Sequence, residues 1–354
     1  GKIKPGHNSV WAHLRGDFRM SEVNPELVRR HESNFVSSSA YFKRTIERSR
    51  PYMYHISNEV AKRNMPAEIA LLPFIESAYV TKAKSHVGAS GLWQFMPATG
   101  RHYGLEQTPM YDGRHDISAS TNAALNYLQY LHGLFGDWTL ALAAYNWGEG
   151  NVSRAIRRAQ AAGLAPTYEN LNMPAETRNY VPKLLAVRNL VNNPHMFGLQ
   201  LPSIKHEPYF RAVTVSAPLD IIAAAHLANI SESEFLALNP AFKTPVFIPK
   251  ENRQMLLPVQ AAFAEQQKCV VLTALRHDAE RINRHYTQRL QVQRHIAPNA
   301  AWFAGQIILI TRNAPAQQLY NGDVGIIMQP AQAETGLTAC FAHGESYRSV
   351  PLSR

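Results

Sequence analysis

From residue 10 to about residue 200, no stretch alternates apolar and polar residues with period two for long; apolar residues return at helical spacing instead. That confines more than half of the chain to an all-α arrangement. Asn24-Pro25 opens a helix through Leu27, Val28 and His31, with Pro25 at the first helical position, where its missing N–H is not needed. Residues 41–63 place Tyr41, Ile46, Tyr52, Ile56 and Val60 at a rough helical period, and Pro51 is expected to kink the run. Residues 118–134 set Ala124, Leu128, Leu131 and Leu134 on one face, and 138–145 continue the pattern. Loops rich in Gly and Pro, at 88–100 and 111–116, separate these segments.

The pattern changes twice further on. Residues 209–258 read as a β-α-α-β module: a strand at 212–215, helical stretches at 220–228 and 231–238, Asn239-Pro240, then a strand at 254–259. Residues 266–354 begin with a helix carrying Arg276, Arg281, Arg284, Arg289 and Arg294. Short strands follow at 306–311, 323–329, 337–342 and 347–350, with turns at Asn321-Gly322 and His343-Gly344. These strands suggest a small antiparallel sheet or an SH3-like barrel. The expected fold is therefore mainly α, in three domains: 1–204, 205–265 and 266–354.

A length of 354 residues suits two or three domains, and 45% hydrophobic against 18% charged residues excludes wholesale disorder. No apolar run approaches the roughly 18 residues of a membrane-spanning helix. The opening residues, GKIKPGHNSVWAHL, lack the apolar core of a signal peptide, so the expectation is either a cytoplasmic chain or one whose targeting segment is missing. The net charge of +10 favours anionic partners without choosing among them. Cys269 and Cys340 both lie in the last quarter, with no ligand spacing around either, and read as buried small hydrophobes. A cysteine-free stretch of 268 residues tolerates an oxidising compartment, whereas the tail has cytoplasmic cysteine usage.

The chemistry concentrates in residues 65–100. Glu76 follows Leu71, Leu72, Phe74 and Ile75 and precedes Tyr79, and Pro73 is expected to bend the chain just before it. A carboxyl among apolar groups has its charged form disfavoured, which suits a proton donor near neutral pH. By itself, a Glu beside an apolar helix face is an ordinary surface residue. Ser77 follows at once, and then come Ser85-His86-Val87-Gly88-Ala89-Ser90-Gly91-Leu92-Trp93-Gln94, Ala144-Tyr145-Asn146-Trp147-Gly148, Glu176-Thr177 and Tyr180-Val181. Glu-Ser, Ser-x-x-Gly-Ala-x-Gly-Leu-Trp-Gln, Ala-Tyr-Asn-x-Gly and Glu-Thr in this order resemble lytic murein transglycosylases of the soluble-lytic-transglycosylase, goose-lysozyme-like family. The likeness extends over residues 10–260.

That resemblance implies a lysozyme-like catalytic domain and a reaction on peptidoglycan with one catalytic carboxyl. Glu76 would protonate the β-1,4 oxygen between N-acetylmuramic acid and N-acetylglucosamine. Its carboxylate would then deprotonate the muramoyl C6 hydroxyl, which closes a 1,6-anhydro ring. A nucleophile inside the sugar has the advantage of an intramolecular reaction, whereas hydrolytic glycosidases use two carboxyls. Asp112, Asp116 and Asp137 are expected in loop, cap or surface roles. Carried over by motif position, Tyr145 and Asn146 would line the subsites, Gln94 and Ser85 would face the glycan, and Tyr180 would meet the acid. Ser77 stands open between substrate contact and loop support. Trp93, where many members have Met, and Trp147 stand open between sugar platforms and core or cleft-wall aromatics. No cofactor or metal is expected: HExxH is absent, and His206, His277, His285 and His295 lack ligand spacing. The implied partner is a peptidoglycan strand in the periplasm or cell envelope, with outer-membrane association through an N-terminal anchor that this chain does not include.

Residues 209–258 resemble a degenerate LysM-type glycan-binding module in which Ser216–Asp220 replaces the family's Gly-Asp-Thr turn, so glycan binding and a spacer role both remain open. Residues 268–354, through Trp302-Phe303-Ala304-Gly305, Thr311-Arg312-Asn313 and Leu319 to Gly325, resemble the SH3-like insertion of the exonuclease V alpha (RecD-type) helicase subunit. No Gly-x-x-x-x-Gly-Lys-Ser/Thr loop accompanies them, so the tail is no ATP-driven motor. The junction reads as that of a chimera, a gene fusion or an assembly error, and the sequence does not choose among them. The alternatives are an inactive or hydrolytic peptidoglycan binder and, with less support, a nucleic-acid-binding protein acting through the tail.

Overall fold

The structure is a computed structural model that describes residues 8–215, 219–228, 230–244, 246–247, 253–259, 307–309, 324–328, 338–343 and 346–351. The chain divides into two compact units, one of residues 1–107 and 113–209, the other of 108–112 and 210–354.

The first unit is helical, as the periodicity predicts. Its α-helices are α1 (Val10–Arg15), α2 (Pro25–Ser37), α3 (Ser39–Arg48), α4 (Met53–Lys62), α5 (Leu72–Ser77), α6 (Pro97–His102), α7 (Ile117–Phe135), α8 (Trp138–Trp147), α9 (Glu149–Ala161) and α10 (Ala175–Asn192). Pro51 separates α3 from α4 rather than kinking one helix, and the gap is closed by Tyr52 and Met53 N–H groups donating to the Ser49 carbonyl, both at 2.9 Å. Asp116 and Asp137 are helix caps. Their carboxylates accept from Ala119 N at 2.7 Å and from Leu140 N at 3.0 Å, each satisfying a donor that the first helical turn leaves open. Gly136, at φ 67°, ends α7 in the left-handed conformation that glycine adopts without a Cβ penalty.

The core is built on α10, which packs against α2 and α8. Leu184, Leu185, Val187, Leu190 and Val191 on α10 are fully buried, each worth about 1.5–3 kcal/mol relative to exposure. On α8, Ala141, Ala143 and Ala144 are buried small residues that permit close approach. The N-terminus is tied to the end of the unit: Val10 N donates to Ile204 O at 2.9 Å and the Trp11 indole to Pro202 O at 2.8 Å.

The second unit matches the expected β-α-α-β order. Strand β1 (Phe210–Val215) pairs antiparallel with β4 (Arg253–Pro258), with Phe210 opposite Pro258 and Val215 opposite Arg253. Between them lie β2 (Leu219–Asp220), α11 (Ile221–Leu227), α12 (Glu232–Leu238) and β3 (Val246–Phe247), and β2 pairs with β3. This two-residue ladder is too short to show as alternation in the sequence. Asn239 is buried and bonds β4 on both sides of one residue, accepting from Leu256 N at 2.6 Å and donating to Leu256 O at 2.7 Å. The same unit takes in residues 108–112, where Asp112 N donates to Ala241 O at 2.9 Å.

In the tail, β5 (Ile307–Leu309), β6 (Val324–Met328), β7 (Thr338–His343) and β8 (Ser346–Pro351) form an antiparallel sheet in that order. Cys340 lies on β7 opposite Ile326 and Ser349. The expected arginine-rich helix, Cys269, His277, His285 and His295 lie outside the described residues. No helix among the described residues is long and apolar enough to cross a membrane.

Candidate active site

Glu76 sits in the last turn of α5. A 3-10 turn at Ala67–Leu71 hands over to α5 at Leu72, so Pro73 stands in the helix's first turn. It starts a new helix, where its missing donor is harmless, rather than bending an existing one. Immediately after Ser77, Ala78 and Tyr79 both adopt left-handed backbone, at φ 50° and 55°. Such residues cost about 1–3 kcal/mol each unless their surroundings hold them. Here Ala78 N reaches Phe74 O at 3.2 Å, and Tyr79 N reaches Pro73 O at 3.3 Å. The buried Tyr79 hydroxyl donates to Ala70 O at 2.9 Å, and Arg48 donates to Ala78 O at 2.7 Å. The chain therefore turns sharply just beyond the carboxyl and leaves it at the rim of the helix bundle.

The loop after it is laced to itself. Ser90 and Phe95 exchange backbone bonds of 3.0 Å, and the Arg114 guanidinium donates to Gly88 O at 2.9 Å and Phe95 O at 3.2 Å. Gly91, at φ 90°, passes so close to Arg114 that a Cβ would lie 1.9 Å from its carbonyl oxygen, so no other residue fits. Gln94 is itself left-handed, at φ 51°, and its amide donates to Ala83 O and Gly91 O at 2.9 and 3.0 Å. The Ser85 hydroxyl accepts from Ala89 N at 3.0 Å. Ser77 is buried, and its hydroxyl donates to Leu92 O at 2.8 Å and Pro73 O at 3.1 Å, which joins α5 to the loop. Trp93 is fully buried, its indole donating to the Thr121 hydroxyl at 3.1 Å; its surroundings are those of a core aromatic.

Around Glu76 three elements converge. The Tyr180 hydroxyl on α10 donates to its carboxylate. Tyr145 on α8 lies close enough for the Glu76 charge to add to the burial that raises its own hydroxyl, and it donates to Trp93 O at 2.6 Å. Part of the Glu76 residue remains open to solvent, yet its carboxyl end is crowded by protein. Burial pushes the carboxyl up to about 7; the Tyr180 hydrogen bond pulls it down, and the nearby Glu176 charge raises it again. A group with that value holds its proton near neutral pH and can deliver it.

Asn146 does not contact the acid. Its amide donates to Glu176 at 3.2 Å and its oxygen accepts from Thr177 at 2.8 Å, clamping the start of α10 to the end of α8. Glu176, on the exposed first turn of α10, is a charged neighbour of the acid that stands in a sequence motif without an expected role.

Tyr168 is a second residue without a sequence-based role. Pro182 lies inside α10 and has no N–H to give the Arg178 carbonyl. The buried Tyr168 hydroxyl fills this gap in the ladder: it donates to Thr177 O and shares its proton with the open Arg178 O, 3.2 Å away. Tyr180 sits between these carbonyls and the proline, so the wedge sets its place. The only advance signal was a proline within a helical run.

Ser85 and Gln94 support the loop, and no bond joins either to Glu76. A separate depression of about 720 Å³ at the other end of α8 is lined by Trp138, Tyr168 and Arg19 and contains none of the motif residues. No group of three His, Cys, Asp or Glu residues fit to hold a metal ion occurs among the described residues.

The chain is 36% identical over 291 residues to membrane-bound lytic murein transglycosylase D of Escherichia coli K12, an alignment of 79% of this chain and 64% of the relative. The chain thus spans less than two thirds of that relative's length. It is 37% identical over 116 residues to the soluble lytic murein transglycosylase of Salmonella typhimurium, covering 31% of this chain and 18% of the relative. Among solved structures, the 70 kDa soluble lytic transglycosylase of Escherichia coli aligns at 31% identity and TM-score 0.32, over 39% of this chain and 24% of that one. Residues 53–166 match the Transglycosylase SLT domain, and residues 209–268 match the LysM-like domain of lytic transglycosylase MltD. Glu76, Ser77, Ser85, Gln94, Tyr145 and Asn146 all fall within the first match, and Tyr180 lies beyond it.

Proposed function

We propose that this chain is a peptidoglycan lytic transglycosylase of the cell envelope, with Glu76 as its single general acid and base. Glu76 protonates the β-1,4 glycosidic oxygen of an N-acetylmuramic acid unit. The carboxylate left behind removes the proton from that sugar's C6 hydroxyl, which bonds to C1 and yields a 1,6-anhydromuramoyl end. The observation that carries the reading is a carboxyl raised to about 7, bonded by Tyr180 and charge-coupled to its neighbours, inside the matched SLT segment. Tyr145 borders the acid, Asn146 lines the subsite from its bonds to Glu176 and Thr177, and Ser77 fastens the loop beneath the acid; Gln94 and Ser85 shape the glycan-facing loop.

Hydrolysis is the second reading, favoured by one observation: Glu176 is close enough to raise Glu76, and a second carboxylate is what a water-activating glycosidase needs. In the three-segment division proposed here, 205–265 acts as a LysM-like spacer, and 266–354, with its likeness to the RecD-type insertion, takes no part in turnover. Envelope anchoring and murein binding follow the same reading, which assigns no role to nucleic acid.

Mass spectrometry of digested peptidoglycan tests it. Wild type should release muropeptides with anhydro ends, one water lighter than hydrolysis products, and Glu76→Gln should release neither. Reducing ends from the wild type would move the assignment to hydrolysis.

A further inference from the structure

Beside the acid stands a group of side chains that the proposed chemistry does not use. Tyr127 on α7 lies 5.5 Å, ring centre to ring centre, from Tyr145, with the planes tilted by 42°. Tyr103, just past α6, lies 5.1 Å from Tyr127 at 49°. Tyr130, one turn along α7 and 47% exposed, donates its hydroxyl to Glu149 at 3.0 Å. Burial raises the Tyr127 hydroxyl to about 12, with the negative charge of Glu149 adding to it, and the same charge acts on Tyr103.

Glu149 opens α9, where a carboxylate suits the positive end of a helix. That accounts for a carboxylate and not for three tyrosines gathered about it. No Lys, Arg or His pairs with Glu149 among the described residues, although the chain carries a net +10. The rings run in a tilted chain from Tyr145 through Tyr127 to Tyr103. Aromatic rings near a carboxylate that is bonded by the Tyr130 hydroxyl and by no cation are the surroundings that favour an organic cation.

We propose that Tyr103, Tyr127, Tyr130 and Glu149 form a cage for a primary ammonium group, carried by the peptide stem of the strand whose glycan is cut at Glu76. The proposal rests on the transglycosylase reading and makes that site selective: strands with a free stem amine are taken in preference to strands whose stem amine is blocked by cross-linking or acylation. The ammonium lies over the rings, and its positive charge faces the Glu149 carboxylate.

The test is steady-state turnover of glycan strands with intact stems, compared with the same strands after acetylation of their free amines. For wild type, kcat/KM should fall about tenfold on acetylation, mostly through KM. Glu149→Gln and, independently, Tyr127→Leu should bring the ratio between the two substrates close to one. Stem-free strands with partly de-N-acetylated sugars locate the amine: no preference for them assigns it to the stem, whereas a preference moves the cage's ligand to the sugar and overturns the stem assignment. Equal wild-type kcat/KM on free and acetylated strands overturns the cage and leaves the transglycosylase reading intact. No anhydro product from any substrate rejects that reading and the cage with it.

Discussion

Glu68 and Glu76 stand eight residues apart in the sequence of the first unit, and their surroundings are opposite. Glu68 is fully buried and fully partnered. Its carboxylate accepts from the backbone N–H groups of Arg19 at 3.0 Å and Met20 at 2.7 Å and pairs with Arg188 at 2.9 Å. Glu76 has a tyrosine hydroxyl for a partner, another carboxylate nearby, and no ion pair among the described residues. The same side chain is a structural tie in one place and, in the proposed reading, a proton donor in the other: Glu68 is bonded to a cation, whereas Lys183 acts on Glu76 only as a nearby charge and leaves it raised. Arg188 lies on α10, the helix that also carries Tyr180. The tie at Glu68 therefore fixes the helix that tunes Glu76.

Changing each region sharpens that contrast. Glu76→Gln should lower kcat by about 10²–10⁴-fold and leave the fold intact. Its effect on stability should depend on pH. The wild-type carboxyl is raised on folding, so the stability linked to its protonation is fully present below pH 4.5 and is lost as pH rises through about 7. The unfolding free energy of the Gln variant should gain on wild type as pH rises from 4.5 to 7, by at most about 3 kcal/mol in all, and hold that gain above.

Glu68→Ala should do the reverse, costing about 3–5 kcal/mol of stability in urea unfolding because it leaves Arg188 buried without its carboxylate. Activity per folded molecule should fall much less than in Glu76→Gln. Tyr168→Phe removes the donor that stands in for Pro182 and should cost about 1–3 kcal/mol in thermal unfolding. Tyr180→Phe has the smallest effect on stability and the most specific readout. Losing a hydrogen bond that lowers Glu76 should move the alkaline limb of the pH–rate profile upward.

Legibility from sequence followed the range of each cause. The extent of α7 was readable because one helical face and two end signals, Asp116 and Gly136, are local. Glu76 was readable from the order of short motifs around it. The split at Pro51 was not readable, since a proline in a helical run is equally consistent with a kink and with the end of one helix and the start of the next. The Tyr168 wedge was not readable, since a hydroxyl reaching a helix ladder from 9 and 10 residues away leaves no periodic trace. Glu68 looked like any other Glu beside an apolar run, because Arg188 is 120 residues distant. The Tyr103, Tyr127, Tyr130 and Glu149 group draws on α7, α9 and the end of α6, so only the fold assembles it.

The central claim is that the fold holds Glu76 protonated near neutral pH. The direct test is a carbon-13 NMR titration of glutamate carboxyl groups, with Glu76 assigned by its absence from the Glu76→Gln spectrum. One resonance missing from that variant should titrate near pH 7 in the wild type and higher in Tyr180→Phe. A Glu76 resonance titrating between about 4 and 5, in the ordinary glutamate range, would contradict the account.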